Sequence, residues 1–128
     1  MLKPIEWMAC WFAACVVFVV AVAQPVAADF ALVGMATVVD GDTIRIGTQK
    51  IRLHGIDAPE MSEPEGERSR NVMKAIVDGL PITCVPTGAR SHDRIVAVCS
   101  SPMWDDIGAE LIRRGLALDC KHYSKGKY

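Results

Sequence analysis

Two acidic stretches, "DGDT" at residues 40–43 and "DAPE" at residues 57–60, have the composition of a cation site. Asp40 followed by glycine is a turn signal, which leaves Asp42 without an ordinary structural explanation. If a strand begins at Asp42, the next strand can return Asp57 to the same end of the sheet. Hard cations such as Ca²⁺ bind carboxylates, backbone carbonyls and water. We predict that Asp42 and Asp57 bind such a cation with a nearby carbonyl, and that Asp40 forms the turn or supports the site from behind.

Two arginines and one glutamate complete a possible phosphoryl-transfer site. Arg52 lies on a predicted strand face opposite its apolar neighbours, and Arg94 begins another predicted strand. The rigid fork of arginine binds phosphate through two hydrogen bonds. Two arginines and a divalent cation near one carboxylate can stabilise the negative charge that develops during phosphoryl transfer. Glu60 could orient or deprotonate an attacking water.

Each of these residues also has an ordinary structural interpretation. Arg52 alone is typical of a solvated strand face, and Glu60 alone suits the N-terminal end of a helix. His92 lies in a polar, turn-rich segment, where it could contact substrate. No second His or Cys stands at a zinc-ligand spacing, so the pattern excludes zinc.

The periodicity predicts short strands and two helices. Alternating residues predict five strands, at 30–39, 42–46, 50–56, 81–85 and 94–99. A Ser62–Glu65 capping box predicts the start of a helix between the third and fourth strands. The stretch 105–115 predicts a second helix, and the tail after residue 120 is expected to be frayed. This order is that of a five-stranded OB-fold barrel, in the mainly β class with helices (α+β).

The first 28 residues resemble a secretory signal peptide. Lys3 precedes an uncharged run at 7–23, and small residues follow it. We expect cleavage after Ala23 or Ala28 and a secreted or periplasmic domain at 29–128. A membrane anchor through 7–23 is the alternative, because 17 residues is the lower limit for a span. Residues 29–128 carry 13 basic and 14 acidic side chains, which argues against a simple basic nucleic-acid-binding module.

Three cysteines follow the predicted leader. Cys84 and Cys99 each end a strand-like run, so an oxidising compartment would allow a disulfide between neighbouring strands. Cys120 then remains without a partner.

The motifs together resemble the staphylococcal-nuclease-like (thermonuclease) family. The resemblance rests on "VVDGDTIRI", "IRLHGIDAPE", "DRIVAVC" and "LIRRGLAL", and covers roughly residues 37–118. It implies an OB-fold barrel with helices and a Ca²⁺-dependent hydrolase of DNA and RNA phosphodiesters that leaves 3′-phosphates. No stable protein partner is implied, and a membrane is involved only if the leader stays uncleaved.

The resemblance also assigns roles by motif position. Asp42 and Asp57 match the calcium carboxylates, and Ala58 matches a position whose carbonyl completes the site. Arg52 and Arg94 match the phosphate-binding arginines, and Glu60 matches the residue that acts on water.

Three features depart from the family pattern. "SHDR" stands where the family has a "YGR"-like run, the family's C-terminal helix is missing, and Cys120 has no evident partner. Two alternatives therefore stay open. They are a non-catalytic OB-fold module that binds nucleic acid or protein, and a truncated, inactive paralogue.

Overall fold

The structure is a computed structural model that describes residues 30–128. The predicted leader at 1–28 and the alternative anchor at 7–23 lie outside the described residues. Within residues 30–128, no helix is long and apolar enough to cross a membrane.

The barrel strands are β1 Leu32–Asp40, β2 Thr43–Ile46, β3 Gln49–Leu53, β5 Pro81–Ser91 and β6 Arg94–Ser100, and the short strand β4 Ile56–Asp57 lies outside the barrel. The five strands close in the order β1-β2-β3-β6-β5. Neighbouring strands are antiparallel except β3 and β6, which run parallel. The predicted five-stranded OB-fold is therefore confirmed.

The barrel encloses the inward-facing side chains of each strand, and two helices cover it. Strand alternation places one apolar residue in two on the inside, which is the pattern that the sequence shows. Helices α1 Gly66–Val77 and α2 Ile107–Arg113 add their apolar faces. Each fully buried aliphatic side chain contributes about 1.5–3 kcal/mol. The core includes Ile44, Ile51, Leu53, Met73, Ile76, Ile82, Ala97, Ile107 and Leu111.

Several strand boundaries differ from the prediction. Strand β2 begins at Thr43, and Asp42 lies in the turn before it. Strand β5 runs through Ser91, beyond its predicted end at residue 85, and its hairpin with β6 turns at His92 and Asp93. Cross-strand pairing with β6 extends the strand through a turn-rich sequence, which local propensity does not reveal.

The predicted capping box at the start of α1 is wrong. Glu65 is the N-cap residue and makes no side-chain capping bond. The residues before the helix instead form turns, in which Glu63 N donates to Glu60 O at 2.8 Å and Gly66 N donates to Glu63 O at 3.0 Å. A Cβ on Gly66 would lie 1.9 Å from Glu60 O, so only glycine allows the helix to start against this backbone.

Helix α2 lies within the predicted stretch, and Asp106 caps its N-terminal end. Asp106 Oδ1 accepts hydrogen bonds from Gly108 N at 2.9 Å and Ala109 N at 3.1 Å. At the other end, the guanidinium groups of Arg113 and Arg114 contact the buried Glu110 carboxylate. Arg113 is the main cause that lowers the pKa of Glu110 to about 2.

The chain after α2 is ordered, so the prediction of a frayed tail is wrong. Strand β7 Leu118–Asp119 pairs with β4 Ile56–Asp57, and the short helix α3 Lys121–Ser124 follows. The Tyr128 hydroxyl lies 2.8 Å from Asp106 Oδ2 and 3.2 Å from the His54 carbonyl oxygen. These contacts fasten the tail to the chain that links β3 and β4.

The structure contains the predicted disulfide between Cys84 and Cys99. The two residues are cross-strand partners in β5 and β6, and both are buried. Among residues 30–128, Cys120 is the free cysteine, and burial raises the pKa of its thiol.

Candidate active site

A tight turn between β1 and β2 buries the Asp42 carboxylate. The Asp42 amide donates to Asp40 Oδ1 at 3.3 Å, so Asp40 shapes the turn. A Cβ on Gly41 would lie 2.0 Å from Ser69 Oγ of α1 and 2.7 Å from the Ala58 Cβ. Glycine therefore lets the turn pack against both, which leaves Asp42 only 6 % exposed.

Three groups meet the Asp42 carboxylate. Ala58 N donates to Oδ2 at 3.0 Å, Thr43 Oγ1 donates to Oδ1 at 3.1 Å, and Arg52 Nη1 lies 2.7 Å from Oδ2. Burial nevertheless raises the pKa of Asp42 to about 6, because desolvation outweighs the bond from Ala58 and the charge of Arg52. The neighbouring groups therefore compensate the negative charge of the ionised Asp42 carboxylate only in part.

The Arg52 guanidinium brings Asp42 and Asp57 together. Its Nη2 lies 3.7 Å from Asp57 Oδ1, while Nη1 contacts Asp42. Nη1 is buried and, despite that short contact, has no aligned hydrogen-bond acceptor among the described residues. The contact is therefore an ion pair without hydrogen-bond geometry. Asp57 is 60 % exposed in its side chain and remains open to a ligand.

Arg94 stands on the same outer face of the barrel as Arg52. Thr43 and Arg52 are cross-strand partners, and Arg94 Nη1 donates to Thr43 Oγ1 at 2.9 Å. Ser91 holds the rest of the guanidinium, through its carbonyl at 3.3 Å and its Oγ at 3.0 Å. Within residues 30–128, Arg94 makes no ion pair with a carboxylate, so its charge is available to an anion.

Two cavities flank the Arg52–Asp57 contact. The acidic cleft, of about 380 Å³, is lined by Asp57, Ala58, Pro59, Glu60, Glu63, Glu65 and residues 115–118. The basic groove, of about 360 Å³, is lined by residues 52–56, 89–91, Arg94, Val96, Cys120 and Tyr123. No lining residue that the structure gives for the basic groove is acidic, whereas four in the acidic cleft are.

The remaining predicted site residues fall in different places. Glu60 is exposed and faces the acidic cleft beside Asp57. His92 is exposed in the β5–β6 turn, with φ of 57°, and is absent from the lining of both cavities. The structure therefore brings Asp42, Asp57, Ala58, Arg52 and Arg94 together, with Glu60 alongside and His92 at the hairpin tip.

The donor set suits a hard cation. Residues 30–128 contain no cluster of three or more His, Cys, Asp or Glu side chains arranged to bind a metal. Two carboxylates with backbone and solvent oxygens are instead the ligands that Ca²⁺ accepts. The raised pKa of Asp42 indicates that this pair of carboxylates has a place for more positive charge. The buried Arg52 Nη1, which has no aligned acceptor among the described residues, offers a hydrogen bond to an oxygen of a bound anion.

The sequence prediction missed the residues of the basic groove other than the two arginines. His54 follows Arg52 by two positions, so strand alternation was a signal that both face the same side. Cys120 and Tyr123 come from the C-terminal segment, and no local pattern placed them opposite β3.

Comparison with known proteins identifies the family. Residues 50–128 match the family model described as Staphylococcal nuclease homologue. The chain belongs to the staphylococcal nuclease family. It is 31 % identical over 108 residues to "Succinoglycan biosynthesis protein ExoI" of Rhizobium meliloti (strain 1021), which covers 76 % of this chain and 56 % of that protein.

Other relatives are named as endonucleases. An "Uncharacterized endonuclease" of Escherichia coli is 31 % identical over 91 residues, 68 % of this chain and 60 % of that protein. "Probable endonuclease LCL3" of Candida tropicalis is 32 % identical over 80 residues, 56 % of this chain and 34 % of that protein. The chain thus spans only part of the length of the curated relatives it matches.

Proposed function

We propose that this protein is an exported, calcium-dependent, sugar-nonspecific nuclease that hydrolyses DNA and RNA to 3′-phosphate ends. One observation carries the proposal: a buried and an exposed carboxylate share one guanidinium, and a second guanidinium without an ion-pair partner lies on the same face. A purely structural ion pair between Arg52 and the carboxylates would not require a second arginine without an ion-pair partner beside it. The family membership and the names of the relatives support the same reaction.

Each residue has a role in this reaction. Asp42, Asp57 and the Ala58 carbonyl would hold Ca²⁺, which supplies Lewis-acid stabilisation of the phosphoryl charge. Arg52 and Arg94 bind the phosphate oxygens and stabilise the charge that develops on them. Glu60 orients a water in the acidic cleft and accepts its proton. Asp40 keeps the turn that buries Asp42.

Cleavage of single-stranded DNA and RNA by the purified protein tests the proposal. We expect cleavage with Ca²⁺, none with a chelator, and products that polynucleotide kinase must dephosphorylate before a polymerase extends them. Glu60→Gln should lower kcat by ~10²–10⁴-fold because it removes the general base. Glu67→Gln, an exposed residue in the first turn of α1, is the matched control. Chelator-resistant cleavage, or equal rates for both variants, would show that the mechanism is wrong.

The location of the protein is a separate part of the proposal. The uncharged run at 7–23, with small residues after it, supports export through a cleaved leader. N-terminal sequencing of the protein from the extracellular or periplasmic fraction should begin at residue 24 or 29. Recovery of an uncleaved chain in membranes would favour the anchored alternative instead.

A further inference from the structure

The basic groove and the acidic cleft adjoin the same ion pair, because Arg52 lines the groove and Asp57 lines the cleft. They share no lining residue and meet where Arg52 contacts Asp57. In a phosphoryl transfer, the attacking and leaving oxygens lie roughly in line on opposite sides of phosphorus. A phosphate held by Arg52 and attacked from the Glu60 side therefore directs its leaving oxygen into the basic groove.

We propose that His54, in the basic groove, donates the proton to the departing 5′ oxygen of the substrate. The proposal rests on the proposed nuclease function and adds a catalytic residue to it. His54 lies in the turn that directly follows β3, and it lines the basic groove together with Arg52.

The backbone of His54 is fixed on both sides of the residue. Its amide donates to Ala97 O at 2.9 Å, which continues the β3–β6 ladder beyond the end of β3. Its carbonyl oxygen lies 3.2 Å from the Tyr128 hydroxyl, which also contacts Asp106. A half-buried imidazole on such a backbone is well positioned to meet a substrate group in the groove.

Other proton donors in the groove are less suited to the task. The other titratable side chains that line the groove are Arg52 on β3, Arg90 and Arg94 on the β5–β6 hairpin, and Cys120 and Tyr123 on the C-terminal segment. Arginines keep their protons, and burial holds the Cys120 thiol protonated. Histidine is the side chain that most often serves as a general acid in enzymes.

The step balances in atoms and charge. Water attacks phosphorus and loses a proton to Glu60, while the bond between phosphorus and the 5′ oxygen breaks. The bonding pair stays on that oxygen, which takes a proton from the His54 imidazolium. The products are a 3′-phosphate and a 5′-hydroxyl, and solvent returns a proton to His54 and removes one from Glu60.

A sulfur substitution in the substrate tests the role of His54. A single-stranded oligonucleotide with sulfur in place of one bridging 5′ oxygen has a thiolate leaving group, which departs without protonation. We expect His54→Ala to lower kcat by ~100-fold on the oxygen linkage and by less than ~3-fold on the sulfur linkage. His54→Gln should behave alike, and it serves if the alanine variant does not fold.

A histidine outside the groove provides the control. His122→Ala removes an exposed histidine of α3 that lines neither cavity, and should cleave both linkages at the rate of the unmodified protein. Equal losses of His54→Ala on both linkages, or no loss on oxygen, would overturn the assignment and leave the nuclease proposal intact. If the unmodified protein cleaves neither substrate, both proposals are wrong.

Discussion

Replacing Asp42 with asparagine should make the cation-free protein more stable and the enzyme inactive. Burial raises the pKa of Asp42 from 3.8 to about 6, so the folded protein binds this proton more tightly than the unfolded chain does. Stability therefore falls as pH rises from about 4 to above 6, and the ionised group costs the folded state thereafter. A shift of this size corresponds to about 3 kcal/mol at pH 8.

The magnitude for the variant follows from these contacts. Asparagine keeps an oxygen for the Ala58 amide and loses the buried charge, although it also loses attraction to Arg52. We expect Asp42→Asn to raise the free energy of unfolding by about 1–3 kcal/mol at pH 8, and by roughly half as much at pH 5. For the protein without the substitution, the free energy of unfolding should rise by about 2.7 kcal/mol when the Ca²⁺ concentration is a hundred times the dissociation constant for Ca²⁺. The variant should not respond to Ca²⁺.

Urea unfolding at pH 5 and pH 8, with and without Ca²⁺, measures both effects. Asp93→Asn is the control, because Asp93 is an exposed residue whose pKa is lowered by Lys50 and whose neutralisation should give no stabilisation. A less stable Asp42→Asn protein at pH 8 would show that the ion pair with Arg52 outweighs desolvation. An undiminished Ca²⁺ response would remove Asp42 from the cation site.

Three further predictions concern the scaffold. Gly41→Ala should lower cleavage strongly and destabilise the fold, because its Cβ would overlap Ser69 Oγ; normal Ca²⁺ binding and thermal melting would contradict this. Reduction of the Cys84–Cys99 disulfide should cost about 3 kcal/mol in urea unfolding, as loop entropy predicts, and an unchanged midpoint would refute it. Tyr128→Phe should cost about 1 kcal/mol and speed amide exchange at residues 54–57, whereas exchange unchanged there would mean that the tail does not hold this segment.

Most of the barrel could be predicted because its determinants are local. The alternation of Ile51 and Leu53 with Arg52 specifies which strand face is buried, and this depends only on neighbouring residues. The helical spacing of Met73 and Ile76 likewise specifies which face of α1 is buried. At the start of α1 the prediction failed because successive turns over residues 60–66 bring the Glu60 carbonyl against Gly66 and displace the predicted capping box.

The site was only partly predictable because it depends on contacts between residues that are far apart in the chain. The sequence by itself determined the chemical types: two carboxylates, two arginines and a glutamate at spacings that a meander can bring together. The tertiary structure alone decided that Asp42 is buried in a turn, that one guanidinium spans both carboxylates, and that the C-terminal segment forms a wall of the basic groove. Burial and charge pairing depend on atoms that are far apart in the chain, and no local pattern of residues encodes those distances.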